Sequence, residues 1–119
     1  MAVIMGCGGS SGSELANLDC DQLTSEVWTK AMSDPETSKS GIGDKSPRTE
    51  LGDRIIECGT LDGKSWKEVL AWLGKPTYND PMSASWFLGA NALQDGAVSF
   101  AVDRRGQTVT AIYVTRFDS

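Results

Sequence analysis

The chain has 119 residues, 39% hydrophobic and 23% charged, with 16 acidic against 11 basic side chains and a formal net charge of −5 at pH 7. That length supports one modest core and not two, the apolar runs are far short of a bilayer span, and the scattered basic residues exclude a nucleic-acid footprint. Histidine is absent, which removes the commonest general base, triad member and metal ligand together, so no metal or cofactor is expected.

Residues 1–17 carry no periodic pattern, and Gly6 to Ser13 is little but glycine and serine around Cys7. That composition reads as a flexible tether ahead of a single domain over 18–119. Leu23, Val27 and Ala31, with Trp28 and Met32, recur at three and four residues and predict a helix over 20–33, capped by Asp19 or Asp21 and stopped at Asp34-Pro35. The turn formers from Asp34 to Lys45 make a surface loop. Ser46 followed by Pro47 then gives an N-cap with proline at the first helical position; Leu51, Ile55 and Cys58 share a face, and Gly59 closes a helix over 47–58. The third helix, 66–73, has the clearest signals. Ser65 and Glu68 form a capping box, Trp66, Val69, Leu70 and Leu73 make the apolar face, and Gly74 with Pro76 ends it. Trp66 and Trp72 stand six apart on this short helix, so one packs inward and the other lies at the edge.

After Pro81 the period changes to two. Trp86 and Leu88 flank Phe87; Val98, Phe100 and Val102 alternate with smaller or polar residues; Val109 to Phe117 alternates again. These are three strands, the last two joined through Gly106 as an antiparallel hairpin. Helices followed by strands predict an α+β domain, two or three helices packed on a three-stranded antiparallel β-meander. The last strand has apolar residues on both faces, Ile112 and Val114 opposite Val109 and Tyr113. That implies either a second covered face, with the first helix as the cover, or a surface for a partner.

The cysteines, Cys7, Cys20 and Cys58, form no metal or redox motif. Cys7 stands apart in the tether. Cys20 and Cys58 are a disulfide pair in an oxidising compartment or two small buried thiols. Asp53, Glu57 and Glu68 sit beside Arg54, Lys64 and Lys67, the pattern of solvated salt bridges rather than of catalysis, and no enzyme is expected. Tyr78, Trp86 and Phe87 lie on or beside the loop after the third helix and are candidate protein-binding residues, aromatic side chains dominating interfaces; the competing reading makes Trp86 and Phe87 strand core.

The run "LDGKSWKEVLAWLGKPTYND", then "SWFLG" and "AVSFAVDRRGQTVTAIYV", resembles the C-terminal module of small bacterial envelope lipoproteins of the outer-membrane assembly (BamE, SmpA/OmlA) kind. Gly63, Lys64, Ser65, Glu68, Val69, Leu73, Gly74, Pro76 and Gly106 occupy the places of that pattern, and the likeness covers about residues 47–118. It implies a non-enzymatic protein-binding or scaffolding module in outer-membrane assembly or maintenance, with another envelope protein as partner and a lipid anchor to the membrane. It carries no partner-binding residue across. Ile4-Met5-Gly6-Cys7 in turn resembles a lipobox, in which the Cys7 thiol takes the lipid. Only six residues precede Cys7, without a basic start, so a working leader requires sequence upstream of Met1. The expected location is the cell envelope, lipid-anchored, if that leader exists, and the cytoplasm otherwise. The alternative function is a soluble inhibitor or immunity-type binder that occludes a target.

Overall fold

The structure, a computed structural model, describes residues 17–38, 46–91 and 96–116; Cys7 lies outside them. Among the described residues are three α-helices, α1 (Ser25–Ser33), α2 (Pro47–Glu57) and α3 (Trp66–Leu73), followed by β1 (Tyr78–Asn79), β2 (Ser83–Asn91), β3 (Gly96–Arg105) and β4 (Thr108–Arg116). The class is α+β. All four strands form one antiparallel sheet in the order β1-β2-β3-β4.

Two expected boundaries need correcting. The first helix starts at Ser25 rather than residue 20, because Cys20–Gln22 turns as a 3-10 segment and Leu23 is extended. The cap is Thr24, whose Oγ1 accepts from the Val27 N–H at 3.2 Å. The sheet has four strands rather than three. The extra one, β1, is only two residues long, too short to show a period. It is set by Asp80, whose Oδ1 accepts from the N–H groups of Met82 and Ser83 at 2.8 and 2.9 Å and folds the chain back on itself.

The helices α2 and α3 end where local chemistry ends them. Ser46 Oγ accepts from the Thr49 N–H and donates to the Leu88 carbonyl, fastening the start of α2 to the sheet. In α3 the Ser65 hydroxyl accepts from the Glu68 N–H at 3.2 Å while the Glu68 carboxylate accepts from the Ser65 N–H at 2.8 Å. Gly74 leaves the helix at φ 82°. The last carbonyls of α3, otherwise orphaned, are taken by other elements: Trp72 O by Ser25 Oγ, Leu73 O by Trp28 Nε1 and Gly74 O by Trp86 Nε1. Two buried tryptophans thereby satisfy their N–H groups and α3 together.

The core lies between the helices and one face of the sheet. Ala84, Trp86 and Leu88 of β2 and Val98, Phe100 and Val102 of β3 point into it, meeting Trp28, Leu51, Ile55, Trp66, Val69 and Leu73 from the helices. Each fully buried leucine, isoleucine or phenylalanine contributes about 1.5–3 kcal/mol. Aromatic rings run continuously through this layer, Trp72 to Trp28 to Phe100 to Trp86 to Trp66, with centroids 5.3 to 6.5 Å apart. Trp66 is buried and Trp72 only partly so, as their spacing requires.

Two bulges decide which residues face which way. In β2 Leu88 follows Trp86 into the core by alternation, and the register shift between Phe87 and Gly89 then sets Gly89 opposite the core residue Val98, beneath the start of α2. A Cβ at Gly89 would stand 2.6 Å from the Ser38 carbonyl oxygen and 2.9 Å from Ser46 Oγ. At β4 the register shifts opposite Asp103 and Arg104, pairing Arg104 with Val109 and Asp103 with Ala111. Val109 therefore joins Ile112 and Val114 on the core side, where all three pack, instead of sharing Tyr113's face. The first helix does not cover the other face: Trp28 of α1 lies against Phe100, on the same side as α2 and α3.

Candidate functional site

With the helices on one side, the opposite sheet face is built from the alternate residues. Pairing aligns Tyr78 with Ser85, Ser85 with Ala101 and Ala101 with Tyr113, a row crossing all four strands. The adjacent row is Phe87, Ser99 and Thr115, and the row on the other side is Ser83, Asp103 and Ala111. Small side chains thus make a shallow saddle bounded by aromatic ones. Strands lie about 4.8 Å apart, so the two tyrosines stand three strand spacings apart across it.

Tyr78 is 62% exposed and Tyr113 40%. With Met82, 70% exposed in the β1–β2 turn, they are the large exposed hydrophobic residues among those described. The Tyr113 hydroxyl donates to the Asp103 carboxylate at 3.1 Å. Partial burial, the hydrogen bond to Asp103 and that carboxylate's charge push the phenol above its ordinary range, so Tyr113 presents a neutral ring and a hydroxyl with a fixed acceptor.

The sequence-predicted residues separate. Tyr78 is open to solvent, and Phe87 is half-buried on the same outer face. Trp86 is a correction: it is 1% exposed, points into the core and spends its indole N–H on Gly74 O, so no partner reaches it. Alternation in a strand forbids Trp86 and Phe87 from sharing a face. Cys20 and Cys58 are joined by a disulfide with Cα atoms 5.5 Å apart. Met82 was missing from the sequence-derived candidates; Tyr113 stood there only as an apolar residue of the last strand that would face a cover or a partner, and matching it to Tyr78 requires the strand register.

A second polar centre was also missed, and it is structural. Arg48, 8% exposed, donates through its guanidinium to the carbonyls of Ala31, Met32, Asp34 and Phe87 and to Thr37 Oγ1, within 2.9 to 3.3 Å. One side chain thus caps the C-terminal end of α1 and ties it to β2. Burial lowers the guanidinium below its ordinary value, opposed by the charge of Asp34. Arg48 precedes Gly52 by four residues and Ile55 by seven, so its place on the inner stripe of α2 was the available signal.

The acids considered for catalysis have other partners. Glu57 pairs with Arg54 at 3.1 Å. Glu68 is held below the usual carboxylate range first by the Ser65 backbone N–H, then by the Ser65 hydroxyl, as its capping role requires. Among the described residues no group of three or more His, Cys, Asp or Glu is placed to hold a metal ion. No described helix is long and apolar enough to cross a membrane.

These features define a helix-on-sheet α+β domain with an aromatic-edged sheet face that no described helix covers, Ala101 at its middle being 5% exposed between its neighbours. No protein-family model, curated protein or solved structure matches the chain.

Proposed function

We propose that the chain is a non-enzymatic lipoprotein of the bacterial cell envelope, lipidated at Cys7 after removal of an upstream leader, that uses its open sheet face to bind another envelope protein. The observation that carries the binding role is the row Tyr78, Ser85, Ala101 and Tyr113, aromatic at both ends and small in the middle, with no described helix over it. Phe87 borders it. Small side chains let a partner approach the backbone closely, and tyrosines give large contact area at low entropic cost. The envelope assignment rests on the lipobox-like Ile4 to Cys7 and on the resemblance to outer-membrane assembly lipoproteins. The Cys20–Cys58 disulfide supports an oxidising compartment.

The test uses the full-length precursor in its native host. Labelled palmitate is expected in the protein and absent from Cys7→Ser. Co-purification of a partner is expected to fall about tenfold or more for the combined Tyr78→Ala and Tyr113→Ala variant, its melting temperature staying within a few degrees of the parent. A lipid-free protein whose partner binding still depends on both tyrosines would favour the soluble-inhibitor reading. Unchanged co-purification would remove the sheet face from the proposal.

A further inference from the structure

The two edges of the sheet differ. On one side β1 is two residues long, flanked by Pro76 and Pro81, and pairs only with Ala84 and Ser85; beyond it side chains occupy the β2 edge, the Phe87 N–H donating to Thr77 Oγ1 and the Phe87 and Leu88 carbonyls accepting from Arg48 and Ser46. On the other, β4 runs nine residues, Thr108–Arg116, without proline, glycine or lysine and rich in β-branched residues. It pairs with β3 on one side and, among the described residues, with no strand on the other. Alternate N–H and C=O groups of an edge strand point outward. Natural sheets blunt such an edge or cover it.

Beside the N-terminal half of this edge lies a groove of about 610 Å³. Its apolar floor includes Ile56, Leu61, Val109 and Ile112. The far wall is the loop leading into α3, held against the hairpin turn because the Trp66 N–H donates to Gln107 O at 2.9 Å and the Lys67 N–H to Gln107 Oε1 at 3.0 Å. Asp62 and Lys64 of that loop and Glu68 of α3, whose carboxylate also caps Ser65, line the groove with one net negative charge on a chain of net charge −5.

We propose that the β4 edge is a strand-addition site: it takes one extended segment of another protein, which continues the sheet antiparallel or parallel to β4. Alternate side chains of that segment enter the groove over Ile56 and Ile112, with lysine or arginine facing Asp62 and Glu68. The open backbone ladder specifies an extended strand, since no helix can satisfy it; the apolar floor specifies alternation; the acids specify the charge. This site uses the backbone edge of β4 and the helix-side groove, whereas the outer face uses side chains, with Tyr113 on the same strand; neither depends on lipidation, and Tyr78→Ala perturbs the outer face alone, so either proposal can fail alone.

The test selects a library of random peptides, each about ten residues long, on the purified chain, then measures amide hydrogen exchange with an enriched peptide bound. Enrichment of β-branched residues alternating with lysine or arginine is expected, with exchange slowed about tenfold or more at every second amide between Ala111 and Thr115. Ile112→Pro and Tyr113→Pro are made as a pair. By strand alternation one of them removes a bond to β3, and the other removes only an outward donor. The better-folded of the two is expected to lose about tenfold or more in peptide affinity, while Tyr78→Ala keeps it. If both proline variants unfold, the exchange pattern on the parent chain decides alone. Absence of enrichment, slowing away from β4, or doubling of the mass in light scattering with β4 protected in the absence of peptide would overturn the proposal, the last by assigning the edge to a second copy.

Discussion

Opening the Cys20–Cys58 bridge is the most quantitative perturbation the fold offers. The bridge closes a loop spanning 38 positions, and in the chain-entropy relation a loop of that size restricts the unfolded chain by about 13 cal/mol/K, or about 4 kcal/mol at 25 °C. The folded state loses little when the bond opens, because the same segment is held by Leu23 and Trp28 in the core and by the Arg54 guanidinium, which donates to Leu18 O at 2.7 Å. Almost the whole effect therefore falls on the unfolded ensemble. Urea unfolding of the oxidised chain and of Cys20→Ser/Cys58→Ser, followed by intrinsic tryptophan fluorescence, should give a difference of about 3–5 kcal/mol, with a steeper denaturant slope for the uncrosslinked chain because its unfolded state is more expanded. At about 4–8 °C per kcal/mol for a domain near this size, the melting temperature should fall by roughly 15–30 °C. A difference below about 1 kcal/mol with equal slopes would refute the reasoning, since a cross-link acting on the unfolded state must alter both.

Other outcomes follow from single contacts. Gly89→Ala should destabilise by about 1–3 kcal/mol in the same urea assay, because the added methyl meets the Ser38 backbone and Ser46, neither of which can swing away. Arg48→Met should cost at least about 2 kcal/mol by stranding buried carbonyls, and hydrogen exchange should rise first at the end of α1, where Ala31 and Met32 lose their donor. For Glu68, whose folded pKa lies below its unfolded value, the cap contribution is present above the unfolded pKa and disappears as pH falls through the folded one. Glu68→Gln, which keeps an acceptor for the Ser65 N–H, should remove that part of the acid-induced loss of stability, read from melting temperatures between pH 7 and pH 2.

Much of this fold is visible in the chain because its helix ends are local events. Ser46-Pro47, Ser65 with Glu68, and Gly74 each act within a few residues, and α2 and α3 lie where those signals put them. The strands are visible because alternation survives over several residues of β2, β3 and β4. The hidden parts depend on partners distant in sequence. Which face Val109 takes is decided by a bulge opposite Arg104, and β1 exists because β2 returns beside it. Arg48 was overlooked for a related reason: a charged residue reads as surface until the carbonyls it answers, from Ala31 to Phe87, are brought around it. For the candidate site, Tyr78 and Phe87 could be named as aromatic residues near a loop. Their separation from Trp86, and the alignment of Tyr78 with Tyr113, are properties of strand register.

The order of the elements also has a bearing on how the protein is made. Every strand neighbours the next one in sequence, so the sheet zips from adjacent hairpins. By contrast Trp28, near the front of the chain, must wait for Leu73 and Phe100 before its ring and its N–H are accommodated. A ribosome thus releases a tryptophan-bearing segment long before its seat has been synthesised. During that interval Val27, Trp28, Ala31 and Met32 have nothing to pack against, and a nine-residue segment is too short to hold its helix alone.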